Sequence, residues 1–342
     1  MKYVPILRYR QEERAALRSL ALTAKTMPLI ELVKDKPNAN MKGNFKEAYE
    51  RDLDTVEVPF MVDFPVYLPL NASTQDDVRS FLLPLKRDRK RVITRFIELS
   101  SVANLVPVLS YDPYTTYAPG SVAKEAAVLR QNFPRLAFRV HIGHFDDLVA
   151  DLVGTARTND IAIFDLDKAP HSNPVLQAKY QKMQRLKSRT GCITVLARAA
   201  LGAEITNVGL SHGQPIAEAD NSLLTMFGTY KFDTFGDFAG IKKDLLQKGG
   251  SVSPGLIYYY WTDNCYMGYR GNVKALSEFR QHIVPSLVAS PLWKALSPQH
   301  LASCPGCKYV AEVHSGNQTG ANQAIWKRAS IMHYIHTMEE SL

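Results

Sequence analysis

Cysteine is scarce. The chain of 342 residues has four, Cys192, Cys265, Cys304 and Cys307. So few, so unevenly spread, argue against a disulfide-stapled secreted scaffold, and the expectation is a reducing, cytoplasmic setting. Long apolar runs are missing as well. No stretch reaches the roughly 20 residues a helix needs to cross a bilayer. The opening Met1-Lys2-Tyr3-Val4-Pro5-Ile6-Leu7 is cut short by Arg8 and Arg10 and shows no leader pattern, so no membrane partner is expected. There is neither a Gly-x-Gly-x-x-Gly fingerprint nor a P-loop, which weighs against the common nucleotide-binding open sheets. A Gly-x-Ser-x-Gly elbow is also lacking, and the histidines offer no triad. Acidic residues are the minority, 33 against 41 Lys and Arg, for a net charge of +8. With 46% hydrophobic and 22% charged residues the chain has the make-up of a folded protein. Its basic excess raises nucleic acid or a phosphorylated ligand as partner, recognised by charge, since no RRM, KH or zinc-finger signature is present.

What the sequence does contain is repetition. Short runs rich in Val, Ile, Phe and Tyr recur, each followed by a helical pattern. Strands are expected at 3–8, 27–33, 60–68, 106–111, 136–142, 161–166, 192–196 and 231–237. Helices are expected at 11–24, 45–54, from an N-cap at Thr74, and at 121–132, 146–156, 173–188 and 240–247. Strands separated by helical crossovers are parallel βα units, and about eight of them suit an α/β TIM-type (β/α)8 barrel. The connection at 199–230 is long and irregular. Beyond it, 254–261 and 266–271 read as an antiparallel hairpin. A helix at 274–284, stopped by Pro285, and a final helix at 324–338 follow. Residues 1–250 would form the barrel. Residues 251–342 would be a hairpin and C-terminal extension packed on it as one unit.

In such a barrel the chemistry gathers where strands end and βα loops begin. The strand ends supply Arg8, Arg10, Glu31, Lys34, Asp63, Tyr111, Asp112, His141, Asp165, Asp167, Arg198 and Asp237. Glu31, Asp63, Asp165 and Asp237 have the chemistry of acid/base groups or of oxygen ligands to a hard cation. Arg8, Arg10, Lys34, Tyr111, His141, Asp167 and Arg198 would bind the ligand. Against this stands the ordinary use of such residues: Asp165 or Asp167 as helix caps, Arg8 with Glu31 as a structural ion pair.

Three other features invite chemistry. The basic runs Lys86–Arg95 and Lys179–Arg189 could track a phosphate backbone, but solvated helix faces are their more ordinary use. The aromatic hairpin Tyr258–Tyr269 could contact a protein partner, although cross-strand pairing explains it too. Cys304-Pro-Gly-Cys307 is half of a zinc site that would need His300, His314, His333 or His336 to complete it. A Pro-Gly turn flanked by cysteines is the simpler account.

Tyr3-Val4-Pro5-Ile6-Leu7-Arg8, then Glu12 or Glu13, Ala16-Leu17 and Pro28-Leu29-Ile30-Glu31, resembles the opening of the phage beta protein family. Phe235-Gly236-Asp237-Phe238-Ala239 and the closing Trp326-Lys327 with His333 resemble it further on. The chain departs from the pattern near its end, where His333-Tyr334 stands in place of adjacent histidines. The resemblance implies an origin in phages or in bacterial neighbourhoods of phage conflict and antiviral defence, with nuclease-like, phage or host proteins as partners. It carries no activity or cofactor, and it singles out Arg8, Glu31 and Asp237 for test.

Overall fold

Each short apolar run pairs edge to edge with the next in the same direction, because a helix returns the chain to the starting end between them. In a computed structural model the residues described are 1–38, 40–116, 118–243 and 253–342. The strands are β1 (Tyr3–Arg8), β2 (Leu29–Glu31), β3 (Phe60–Asp63), β4 (Leu105–Ser110), β5 (Ala137–His141), β6 (Ile161–Asp165), β7 (Ile193–Ala197), a short β8 (Gln214–Pro215) in the long connection, and β9 (Thr234–Asp237). All but β8 form a closed parallel barrel, and β9 pairs with β1 to close it. The fold is the expected TIM-type barrel. Around it lie α1 (Gln11–Arg18), α2 (Phe45–Leu53), α3 (Asp76–Arg87), α4 (Arg89–Glu98), α5 (Ser121–Leu129), α6 (Phe145–Thr155), α7 (Gln177–Thr190) and the single turn α8 (Leu223–Met226).

Strand parity sorts the side chains. Val4, Ile6, Leu29, Met61, Val106, Val108, Ala137, Ile161, Ile163 and Val195 make one buried cluster that fills the barrel interior. Their sequence neighbours, such as Leu7, Ile30, Val62, Phe138, Phe164 and Leu196, belong to the larger core toward the helices. Following the interior parity upward, Val4 and Ile6 lead to Arg8, and Ile161 and Ile163 lead to Asp165. Apolar layers therefore fill the lower barrel and charged residues its C-terminal end.

After the barrel, β10 (Gly255–Tyr260) and β11 (Cys265–Arg270) form the expected hairpin, with β8 added to its edge. Five helices follow: α9 (Val284–Ala289), α10 (Pro291–Lys294), α11 (Pro298–Ser303), α12 (Pro305–Ser315) and α13 (Gln323–Ser341). Helix α13 is tied to the barrel by Lys327 to Glu13 at 2.6 Å and by Glu339, which accepts from the backbone and hydroxyl of Thr23.

Several boundaries differ from expectation for local reasons. Helix α1 stops at Arg18 because the following segment is drawn to α13 and to the start of β1, where Lys2 N–H donates to the Lys25 carbonyl. Thr74 is not the cap of the third helix. Its hydroxyl accepts from Asn71 N–H, and the helix starts at Asp76. That helix is also two, since Asp88 leaves helical geometry and caps α4 through Lys90 N–H. Pro285 does not stop its helix. It sits inside a continuous helical run, just after a π-helical turn at Phe279–Ile283 whose wider ladder accommodates the proline. Pro305 and Gly306 are likewise the first turn of α12 and not a separate turn. Of the helix expected at 240–247, residues 240–243 are not helical and the remainder lies outside the described residues.

Candidate functional site

Arg139 stands at the centre of the charged layer, fully buried. It is the third residue of β5, two before His141, and so shares the interior parity. Its Nε and Nη2 donate to Asp165 at 3.0 and 2.7 Å, and its Nη1 donates to Glu31 at 2.7 Å and Asp63 at 2.9 Å. Strand register brings these groups together: Arg8 pairs with Glu31, Glu31 with Asp63, and His141 with Asp165. Arg8 Nε donates to Glu31 at 3.1 Å, Tyr67 donates its hydroxyl to Glu31, and Ser110 donates to Asp63 at 2.6 Å.

The electrostatics follow from burial set against these partners. Burial pushes the Glu31 and Asp165 carboxyls up, but Arg139 beside both, Arg8 beside Glu31, and His141 and Lys243 near Asp165 hold them below the usual carboxylate range. Asp63 is pushed up to about 6, by burial and by the negative Glu31, against the pull of Arg139. Burial drives His141 down to about 3, so its ring is neutral at physiological pH. The carboxylates offered to a hard cation are already engaged, with Asp237 held apart by Tyr3 and Tyr334. The oxygens of Glu31, Asp63 and Asp165 converge on Arg139, and Asp167 pairs with Lys243.

Above this layer opens a cavity of 530 Å³ whose lining includes Arg8, Tyr67, His141, Asp165, Asp167 and Lys243. Its walls are apolar at Leu68, Pro69, Pro113 and Ile142, and the exposed ring of Tyr114 stands at its edge. Two side chains in this lining carry unmet hydrogen-bonding capacity. Both terminal nitrogens of Arg8 are buried without a partner, as is Nε2 of His141. The His141 ring lies against Tyr67 with centroids 4.2 Å apart, and its Nδ1 is 3.6 Å from Asp165, beyond a good hydrogen bond.

The other strand-end residues go elsewhere. Arg10 and Lys34 line a broader groove of 1140 Å³, where they pair with Glu13 and Asp77. Tyr111 donates to Glu125 beneath the Arg89 guanidinium, and Asp112 holds Lys86 at 3.0 Å. Arg198 donates to the carbonyls of Ala169 and Asp220 and so fastens the long connection. Asp237 accepts from Tyr3 at 2.6 Å, from Tyr334 on α13 and from Ala239 N–H, and burial pushes it up to about 6. Asp237→Asn is expected to cost about 1–3 kcal/mol, because its amide would face a hydroxyl that now donates. Denaturant midpoints would read this.

The runs that suggested nucleic acid are largely occupied. Lys86, Arg89, Arg91 and Arg95 each sit in an ion pair, and so do Lys179, Lys182 and Lys187. Tyr258, Tyr259, Tyr260, Tyr266 and Tyr269 are buried within the chain, which takes away the main support for the hairpin as a contact surface and leaves Trp261 as its exposed aromatic. No helix among the described residues is long and apolar enough to cross a membrane.

Sequence reading missed Arg139, Tyr67 and Lys243. A lone arginine inside Ala137-Phe138-Arg139-Val140-His141, on the parity of His141, was the available signal for the first. Tyr67 and Lys243 lie in loops and had none. Compared with known proteins, the family model described as Beta protein matches residues 3–339. No curated protein and no solved structure gives a significant match.

Proposed function

The chain belongs to the Beta protein family, and from that premise we propose that its barrel binds a small phosphorylated or nucleotide-like ligand at the C-terminal mouth. The observation that carries this reading is the buried, unpartnered edge of Arg8. A guanidinium that keeps two donors dry and unmet costs free energy, and its planar pair of N–H groups matches the oxygens of a phosphate or carboxylate. Lys243, paired with Asp167, stands at the same mouth, the 530 Å³ cavity has the size of a nucleotide-scale site, and its apolar walls with Tyr114 suit a base or other flat group. His141 Nε2, neutral and without a partner, is the group placed to hydrogen-bond the ligand. Glu31, Asp63 and Asp165 act through Arg139, which they hold and neutralise, and Glu31 also steadies Arg8.

Titration calorimetry with inorganic phosphate, nucleoside monophosphates and the matching nucleosides tests the proposal. Phosphorylated compounds are expected to bind and the bare nucleosides are not. Arg8→Gln should weaken binding about 10- to 100-fold, the worth of hydrogen bonds to a charged group. If no phosphorylated compound binds, or if Arg8→Gln binds as well as the parent chain, the reading fails.

A further inference from the structure

The C-terminal helices assemble a second constellation, far from the mouth in chemistry and in sequence. His300 lies on α11, Cys304 caps α12, Cys307 is in the first turn of α12, and His333 is near the middle of α13. All four are buried, and one ligating atom from each falls within 4.8 Å of every other. Nδ1 of His333 is 3.4 Å from Nε2 of His300, 3.7 Å from Sγ of Cys304 and 3.4 Å from Sγ of Cys307. We propose that these four residues form a closed, tetrahedral zinc site that staples the C-terminal extension together.

The distances argue first. With Zn–S of about 2.3 Å and Zn–N of about 2.0–2.1 Å, a regular tetrahedron has N···N edges of about 3.4 Å and S···N edges of about 3.6 Å. The three distances lie within about 0.2 Å of these edges. Tautomers argue next. His333 Nε2 is 2.8 Å from the Tyr259 carbonyl, which can only accept, so this nitrogen carries the proton and Nδ1 turns a lone pair to the centre. His300 Nδ1 is 2.6 Å from the Glu340 carboxylate, which in the same way leaves Nε2 free to face the centre. A carboxylate or carbonyl behind each ligating histidine is the usual support of a zinc site. The sulfurs are supported too. Cys307 N–H donates to Cys304 Sγ at 3.4 Å, and the Tyr258 hydroxyl lies 3.1 Å from Cys307 Sγ. Two thiolates balance the charge of a divalent ion, which makes full burial tolerable.

Backbone packing is shaped to the same end. A Cβ on Gly306 would stand 2.4 Å from the Ala329 carbonyl and 2.8 Å from His333 N, so only glycine lets the Cys-x-x-Cys turn lie against α13. A dithiol redox role fits less well, because both sulfurs are closed to an exchange partner, Cys304 0% and Cys307 1% exposed. With four protein ligands and no open position the site is structural. It locks α11 and α12 to α13 and, through Tyr259, to the hairpin. Tyr334, next along α13, reaches Asp237 at the end of β9, so the staple also seats the extension on the barrel.

The test is elemental analysis of the full chain, purified without chelator, together with Co²⁺ substitution. About one zinc per chain is expected. The Co²⁺ form should show sulfur-to-metal charge transfer and the intense visible bands of a tetrahedral S₂N₂ site. Cys304→Ser with Cys307→Ser should lose both. Should that variant fail to fold, thiol labelling of the parent chain decides instead: Cys304 and Cys307 should resist a thiol reagent until a strong chelator is added. A folded parent chain that takes up neither Zn²⁺ nor Co²⁺, or whose Cys304 and Cys307 form a disulfide in place of binding metal, would overturn the proposal.

Discussion

Arg139→Met is expected to unfold the barrel or to cost it at least about 3–5 kcal/mol, the usual penalty for stripping the partner from buried charge. Three fully buried carboxyls, Glu31, Asp63 and Asp165, donate nothing and accept from this one guanidinium. Arg8 would remain beside Glu31, while Asp63 and Asp165 would lose the guanidinium that hydrogen-bonds them. Methionine matches the length of the arginine stem, so lost charge and not lost volume dominates the effect. Salt should not rescue the variant, because buried groups are poorly screened. Adding Asp63→Asn and Asp165→Asn should recover a substantial part of the loss, since a neutral amide has no charge to strand. Urea denaturation of the parent, single and triple variants measures it. A single variant within about 1 kcal/mol of the parent would mean that water or another cation reaches the carboxylates.

Acid should produce the second large effect, with a particular shape. His141 is held at about 3, below its ordinary value, so the folded state binds fewer protons than the unfolded state from about pH 6.5 down to 3. That contribution is present at neutral pH and is lost as pH falls. Asp63 and Asp237 are raised to about 6, so the folded state binds more protons between about 6 and 4, and their contribution grows as pH falls. The two trends oppose each other, and stability should hold or rise slightly down to about pH 4. Below that, Asp165, Glu31 and Glu13 act together. Burial raises each, yet the cations beside them hold all three below the carboxylate norm. Their ion pairs fail together as they take up protons, and the chain should unfold steeply. Urea midpoints from pH 7 to 3 would trace this. A steady decline beginning at pH 6.5 would show instead that Asp63 and Asp237 titrate in the ordinary range and that His141 alone governs the upper limb.

Much of this architecture was open to reading. Runs such as Ile161-Ala162-Ile163-Phe164 are apolar on both faces because a parallel barrel strand is covered inside and out. Crossover helices between such runs make the sheet parallel, and a count of about eight suits its closure. Strand ends were readable as well, and Arg8, His141, Asp165 and Asp167 do line one cavity. Arg10, Lys34 and Tyr111 sit at comparable places along the chain but belong to the outer face, because strand and loop geometry beyond the last ladder pair decides which way each points.

What the sequence by itself determined is whatever repeats with a local period: the strand and helix order, the apolar parity of the barrel, and the basic excess. Local period is set by backbone geometry, which a chain carries wherever it folds. The tertiary structure alone decided which distant groups meet. Arg139 gathers carboxylates 26, 76 and 108 residues away, and nothing near it in the chain marks it as their counter-ion. Of the histidines available to Cys304 and Cys307, His314 points to solvent from α12 while His300 and His333 face the sulfurs. That choice depends on how three helices pack, a matter of shape and of a glycine at their contact, and no spacing along one helix encodes it.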